Sequence, residues 1–257
     1  MLNMAKADLY RIFRSKGMYI FLGLIVLCYA MSIISKTMVG FFNGFDPTGV
    51  TEGFKLDMRM LGFSFNYYYL MLIPVSVVLL ADFNEKTIKN TLSSVTSKSR
   101  YFIFKWLILQ CIGILAFLFG NTLFYVFNRI INGVDFSSAA SEYFKAVLLQ
   151  LPTLTAVISV FVFFAFLLRK TALFNVFMLI ITEVYSLTIG LLLEFDSTRS
   201  IAQDHLMGFD LSYIFQCLAG NSSASYKTRV VIIGIVVTAA FFAVGLRTYS
   251  RSEPTDQ

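Results

Sequence analysis

The stretch YFIFKWLILQCIGILAFLFGNTLFYVF, residues 101–127, is almost entirely apolar, and Lys105 is its only charged residue. A helix needs about 20 apolar residues to cross a bilayer core that is ~30 Å thick. Backbone polar groups in lipid must be hydrogen-bonded within the structure itself, and the alternating pattern of a β-barrel strand is absent here. The stretch therefore predicts a transmembrane helix.

Five further apolar runs of similar length occupy the rest of the chain. Of its 257 residues, 57% are hydrophobic and 14% are charged, whereas soluble domains carry about 25% charged residues. We predict an all-α polytopic membrane protein, in which residues 1–257 form a single transmembrane domain. The six predicted transmembrane helices lie near residues 18–35, 61–81, 101–127, 146–168, 171–193 and 229–246.

The distribution of Lys and Arg predicts the orientation of these helices. With a cytoplasmic N-terminus, 13 of the 21 Lys and Arg fall on the cytoplasmic side, as the positive-inside rule requires. Both termini are then cytoplasmic, and so are residues 82–100, while residues 194–228 form a long outer loop. We interpret the net charge of +6 as topology and contact with anionic lipid, and expect no nucleic-acid partner.

Motifs for catalysis or metal binding are absent from the sequence. Cys28, Cys111 and Cys217 show no C-x-x-C spacing, and His205 is the single histidine, so neither a disulfide framework nor a zinc site is indicated. The G-x-x-x-x-G-K-[ST] phosphate loop is also missing. We expect no enzyme activity, no metal and no cofactor in this chain.

Residues 82–100, DFNEKTIKNTLSSVTSKSR, separate the second and third apolar runs and are strongly polar. Ile88, Leu92 and Val95 nevertheless recur at the spacing of one helix face. Asp82 is predicted to cap the start of this helix, with Glu85 completing a capping box. Such a cytoplasmic helix can bind a protein partner, or can lie at the lipid headgroups as an ordinary loop helix.

Residues 1–16, MLNMAKADLYRIFRSK, show a second amphipathic pattern. The basic side chains predicted to share one face are Lys6, Arg11 and Arg14. The apolar ones predicted to share a face are Leu2, Ala5, Leu9, Ile12 and Phe13. We predict an interfacial helix that lies on the inner leaflet and leads into the first transmembrane helix.

Residues 87–94, TIKNTLSS, followed by Ser97, Arg100 and Lys105, resemble the motif after the second transmembrane helix of type-2 ATP-binding-cassette (ABC) exporter permeases. The layout of the whole chain is similar to that family as well. Lys86, Val95 and Lys98 differ from the residues usual there.

The resemblance implies a permease subunit that has no ATPase of its own. Its predicted partners are a cytoplasmic ABC ATPase, which holds ATP and Mg²⁺, a second permease copy or homologue, and membrane lipids. Residues 82–100 would be the coupling segment, and the residues expected to contact the ATPase are Glu85, Thr87, Ile88, Lys89 and Leu92. The expected cargo is an amphipathic antimicrobial peptide, drug or lipid, and the expected location is a bacterial plasma membrane. Residues 194–228 would carry a short helix that covers the exit.

Glu183 lies in the middle of the fifth predicted transmembrane helix, where a carboxylate costs about 2.5–3.5 kcal/mol on insertion scales. It is a candidate for the substrate path or the dimer interface, or else a carboxyl group hydrogen-bonded to Thr182, Tyr185 or a neighbouring helix. Because Glu183 has no second acid or base nearby in the spans, a membrane-embedded enzyme is disfavoured. The alternative function is a stand-alone binding, immunity or scaffold protein that does not transport.

Overall fold

The computed structural model of the protein describes residues 2–27, 30, 66–84, 97–132, 140–195, 197–198 and 224–251. Within these ranges the chain forms helices and no strand, which confirms the all-α class for the part described. In chain order the helices are α1 (Leu2–Arg14), α2 (Lys16–Leu27), α3 (Asn66–Val75), a π-helical turn (Ser76–Leu80), α4 (Ala81–Asn84), α5 (Lys98–Asn132), α6 (Ala140–Leu168), α7 (Thr171–Glu194) and α8 (Ala224–Arg251).

Three apolar segments are long enough to cross a membrane: Lys98–Phe127 in α5, Val147–Leu168 in α6 and Thr228–Arg251 in α8. Shorter apolar helical segments, Lys16–Leu27, Leu70–Asn84 and Thr171–Ile181, coincide with parts of the other three predicted transmembrane helices. These features indicate a membrane protein. The number of six transmembrane helices stays a prediction, as does the interfacial position of α1.

Helix α6 lies at the centre of the described helices. Of its apolar membrane-length segment, 56% is buried, against 17% for that of α8, and both α5 and α8 pack chiefly on it. Gly234 of α8 permits one close approach, because a Cβ atom there would lie 2.8 Å from the carbonyl carbon and oxygen of Pro152 in α6. Small residues allow this kind of packing between helices in membranes.

One end of the bundle is filled by aromatic side chains from three helices. The ring of Phe166, near the end of α6, lies 4.7 Å from that of Phe102 in α5 and 4.6 Å from that of Tyr249 in α8, centroid to centroid. The start of α5 and the ends of α6 and α8 therefore meet at the same end of the bundle. These are three of the segments predicted to be cytoplasmic.

Candidate functional site: a buried ion ring

Four charged side chains, distant in sequence, meet at this aromatic end of the bundle. Asp8 and Arg11 come from α1, Asp82 from α4 and Lys105 from α5. Asp8 and Arg11 are three residues apart, which places them on one side of α1. We call these four residues the ion ring.

Each cation of the ion ring contacts both carboxylates. The Nζ of Lys105 lies 2.7 Å from Asp8 Oδ2 and 2.7 Å from Asp82 Oδ2. The guanidinium of Arg11 lies 2.5 Å from Asp82 Oδ1 through Nη1 and 3.1 Å from Asp8 Oδ1 through Nη2. Charge-assisted hydrogen bonds of this kind are about twice as strong as neutral ones.

The π-helical turn supplies a further acceptor to both cations. The carbonyl oxygen of Val78, within this turn, accepts from Arg11 Nη2 at 2.7 Å and from Lys105 Nζ at 2.9 Å. A π-helical turn shifts the backbone hydrogen-bond register by one residue, and such turns occur frequently at functional sites. The ring is thus tied to the backbone between α3 and α4 as well as to side chains.

Tyr101 connects the ion ring with the aromatic end of the bundle. Its hydroxyl donates to Asp82 Oδ2 at 2.6 Å, and the side chain is fully buried. Its ring makes an edge-on contact with Phe166, and Lys105 Nζ lies 5.5 Å from its centroid, within the range of a cation–π interaction. A displacement of Asp82 would therefore shift Tyr101 of α5, and through it the packing against Phe166 of α6.

The ion ring is largely withdrawn from solvent, and its formal charges cancel. The exposed fraction of the side chain is 1% for Lys105, 8% for Asp8, 10% for Asp82 and 27% for Arg11. Buried charges are tolerated only when they are paired and hydrogen-bonded. Removal of any one member would leave a net charge in a poorly solvated place.

The pKa values outside the membrane-length segments follow from this pairing. Burial alone would raise the pKa of Asp82, but the charge of Lys105 and the hydrogen bond from Arg11 outweigh burial and hold the pKa below its ordinary value of 3.8. For Arg11, burial alone would lower the pKa, yet the hydrogen bond and charge of Asp82 raise it above the ordinary value. Both groups are therefore ionised at neutral pH.

The ion ring joins the two ends of the segment predicted to couple to an ATPase. Asp82 lies just before residues 85–96, and Tyr101 and Lys105 come just after them. In addition, Asn84 Nδ2 donates to Thr171 Oγ1 at 2.6 Å, which links α4 to the start of α7. The five residues predicted to contact the ATPase lie outside the residues that the structure describes: Glu85, Thr87, Ile88, Lys89 and Leu92.

Two predictions about charged residues near this site are wrong. Asp82 is not a helix N-cap, because it lies inside helical Ala81–Asn84 and its carboxylate is used by Arg11, Lys105 and Tyr101. An N-cap residue has a non-helical backbone. Arg11 does not share a basic face with Lys6 and Arg14, since those two are exposed whereas Arg11 is bonded to Asp8 and Asp82 on the bundle side.

The apolar residues predicted to share one face of α1 have different surroundings, and their position at the membrane surface stays a prediction. Ile12 packs against the core, but Leu9 and Phe13 are 49% and 70% exposed. Tyr10 and Arg14, which are exposed too, are hydrogen-bonded to each other. Among residues 6–14, the side of α1 that faces the bundle thus carries the charged pair Asp8 and Arg11 together with Ile12.

Glu183 lies on α7 and is not part of the ion ring. Its side chain is exposed, as are those of Ile180, Ile181, Val184 and Leu187 around it on the helix. Glu183 therefore lies on a different helix from every member of the ion ring.

Sequence reasoning missed Asp8 and Lys105 as site residues, although a signal was present. Lys105 is a single charge inside an apolar run, and an ionisable residue at such a place implies a partner in the bundle. Asp8 is the one acid in the basic N-terminal segment. Opposite charges isolated in this way are candidates for pairing.

A metal centre finds no support in the part of the chain that the structure describes. No group of three or more His, Cys, Asp or Glu side chains is close enough there to hold an ion. The carboxylates of the ion ring are occupied by cationic side chains instead.

Comparison of the sequence with protein-family models and with curated proteins finds no match.

Proposed function

We propose that this chain is the membrane-spanning permease subunit of an ATP-driven exporter of the type-2 ABC class. A separate cytoplasmic ATPase binds the segment of residues 82–100, a second permease copy or homologue completes the pore, and an amphipathic peptide, drug or lipid is exported. The proposed location is a bacterial plasma membrane, with several spans and both termini in the cytoplasm.

One observation carries the proposal further than the sequence motif does. The ion ring and Tyr101 hold the two ends of the proposed coupling segment together, with Asp82 Oδ2 2.7 Å from Lys105 Nζ and 2.6 Å from the hydroxyl of Tyr101. A segment fixed at both ends by short, buried bonds transmits a displacement to its helices, whereas a segment on loose linkers absorbs it. α5, which carries Tyr101 and Lys105, has a membrane-length apolar segment.

The test is purification of the chain from its native membrane in mild detergent, with detection of a copurifying ATPase. We expect an ATPase in near-equal amount with the wild-type chain and its loss from the variant Ile88→Asp with Leu92→Asp. The matched control is Lys86→Gln, which changes the polar side of the same segment and should keep the ATPase.

Full ATPase recovery with the double variant would show that residues 82–100 are not the coupling segment. If the wild-type chain comes out alone, and crosslinking in intact membranes also captures no ATPase, the exporter proposal fails. The alternative function, a stand-alone binding, immunity or scaffold protein, would then be preferred.

Glu183 is proposed to face the cargo or the second permease copy. Its side chain is exposed on α7, in the middle of a predicted transmembrane helix, and ionisable residues at such depth generally face the bundle interior or a water-filled cavity and mark substrate pathways. We expect Glu183→Gln to change the rate or substrate range of export at unchanged protein level. Export identical to wild type, measured with equal amounts of protein in the membrane, would exclude this role.

A further inference from the structure

The ion ring divides into two neutral pairs along the boundary of α1. Asp8 and Arg11 both belong to α1 and contact each other at 3.1 Å. Asp82 and Lys105 both belong to the bundle and contact each other at 2.7 Å. The two contacts that cross the boundary are Lys105–Asp8 and Arg11–Asp82.

Because of this division, α1 can dissociate from the bundle without leaving an unpaired charge on either side. Separating a buried ion pair is costly mainly because the partner left behind is uncompensated. Here the bundle would keep Asp82 with Lys105, and Lys105 would keep the Val78 carbonyl. α1 would carry away Asp8 with Arg11, already in contact.

The link between α1 and α2 is a place where the helix is interrupted. Ser15 has no helical assignment. Its N–H bonds to the carbonyl of Ile12 at 3.3 Å, and its own carbonyl accepts from the N–H of Met18 at 3.1 Å. Both bonds span three residues rather than four, as in a tightened turn. The carbonyl of Ser15 also accepts from the N–H of Tyr19 at 3.4 Å, across four residues, and the hydroxyl of Tyr19 donates to the carbonyl of Phe13 at 2.7 Å. A change of direction between Phe13 and Ser15 would break this side-chain bond and leave the α-helical bond of Tyr19 in place.

Apart from the ion ring, the described side chains of α1, which are those of residues 6–14, make little apolar contact with the bundle. Ile12 is packed against the core, whereas Leu9, Tyr10 and Phe13 are 49%, 62% and 70% exposed. The Nε of Arg11 is buried and has no hydrogen-bond partner among the residues the structure describes. A buried donor without a partner regains hydration when it is released to water.

We infer that α1 is a reversible latch, which docks on the bundle through the ion ring and is released as an intact helix onto the membrane surface. The released helix would keep its exposed aromatic and aliphatic side chains, together with Lys6 and Arg14, for an anionic lipid surface. Its consequence for transport rests on the function proposed above. Docked α1 would fix Asp82 and hence the coupling segment, and released α1 would loosen it.

The test measures the position of α1 in the full-length chain, in nanodiscs that contain phosphatidylglycerol, without an ATPase or nucleotide. Cys28, Cys111 and Cys217 are replaced by Ser, and spin labels are attached through Lys6→Cys on α1 and Leu107→Cys on α5. Both of these positions are exposed. Pulsed electron resonance then gives the distribution of distances between the two labels.

The decisive variant exchanges the two charges of α1, Asp8→Arg with Arg11→Asp. It preserves the net charge of α1 but sets like charges against Lys105 and Asp82 in the docked position. We expect a longer distance to dominate and the docked-to-released ratio to fall about ten-fold or more. The control Arg14→Gln removes an exposed charge from the same helix and should keep the wild-type distance.

Two results would overturn the latch. If the exchange variant keeps the wild-type distance, contacts other than the ion ring hold α1. A milder variant, Asp8→Asn with Arg11→Gln, leaves the bundle pair complete, and if neither variant inserts and folds, α1 is a fixed part of the fold. Because no ATPase is present, a failure of ATPase copurification leaves these distances unaffected. Unchanged distances, conversely, say nothing against the exporter.

Discussion

Lys105 is the most deeply buried charged side chain of the ion ring. Its ammonium reaches two carboxylates and a backbone carbonyl, although its side chain is only 1% exposed. Its four-carbon side chain is long enough to bring the ammonium group to the two carboxylates, as lysine side chains near the ends of transmembrane helices extend toward polar groups. No other side chain of the ion ring is as deeply buried.

Replacement of Lys105 by Gln should destabilise the protein strongly. Arg11 would then be the one cation of the ion ring left for two carboxylates, and breaking a buried ion pair costs about 3–5 kcal/mol. The measurement is the thermal unfolding midpoint in detergent. The control Lys145→Gln changes an exposed lysine on α6 and should shift stability by no more than about 0.5 kcal/mol. Equal midpoints for the two variants would show that the ion ring does not stabilise the fold.

The ion pairs of Asp82 should withstand mild acid. Because the pKa of Asp82 is lowered on folding, its stabilising contribution is complete above the unfolded pKa of about 4 and is lost as pH falls through the lower folded value. The stability difference between wild type and Asp82→Asn, with Arg11, Lys105 and Tyr101 all facing the site, should stay constant from about pH 7 to pH 5 and shrink below about pH 4. A decline already at pH 6 would contradict this assignment.

At the scale of the helices, hydropathy predicted where they lie but not which side of α1 faces inward. Apolar runs without the alternation of a barrel strand indicate helices in lipid, because a helix satisfies its own backbone groups there, and the described helices coincide with the predicted runs. The inward side of α1 follows a different rule. Hydrophobic periodicity places polar side chains outward, and a buried ion pair inverts that placement. One sequence cannot show that Asp8 and Arg11 have complementary partners 71 or more positions away.

The close contact of α8 with α6 predicts a sensitive glycine. Gly234→Ala would place a methyl group 2.8 Å from the Pro152 carbonyl, so the helices must separate, at a cost of about 1–3 kcal/mol. Gly23 of α2 provides the control, since a Cβ atom there meets no neighbour within 4 Å. Gly23→Ala should be neutral or raise stability by up to about 1 kcal/mol. Thermal unfolding in detergent distinguishes the two, and similar midpoints for both would rule out this packing.

At the scale of the whole molecule, the segments predicted to be cytoplasmic have one structural property in common. The start of α5, the ends of α6 and α8, and α1 meet at the end of the bundle that holds the ion ring. Lys98, Arg169, Lys170, Arg247 and Arg251 belong to the helix ends there or to the short α6–α7 connection. This clustering agrees with the charge asymmetry read from the sequence.

Whether the number of transmembrane helices is even or odd decides whether the two termini lie on the same side of the membrane. Six spans place both termini on one side, whereas three spans, the number of membrane-length helices among the described residues, place them on opposite sides. With the native cysteines replaced by Ser, single cysteines at Asn3, Ser222 and Ser252 are exposed to a membrane-impermeant maleimide in right-side-out vesicles. Six spans predict labelling at Ser222 alone, and labelling at both termini only after the membrane is opened.

Labelling of one terminus but not the other in sealed vesicles would make the number of spans odd and would refute the six-span prediction. The ion ring joins α1, α4 and the start of α5 at one end of the bundle in either topology. Asp82 and Lys105 fix that relation, since a salt bridge of 2.7 Å cannot join opposite faces of a bilayer about 30 Å thick. The ring therefore holds α1, α4 and the start of α5 at one end of the bundle, and the labelling pattern decides whether the two termini lie on the same side of the membrane.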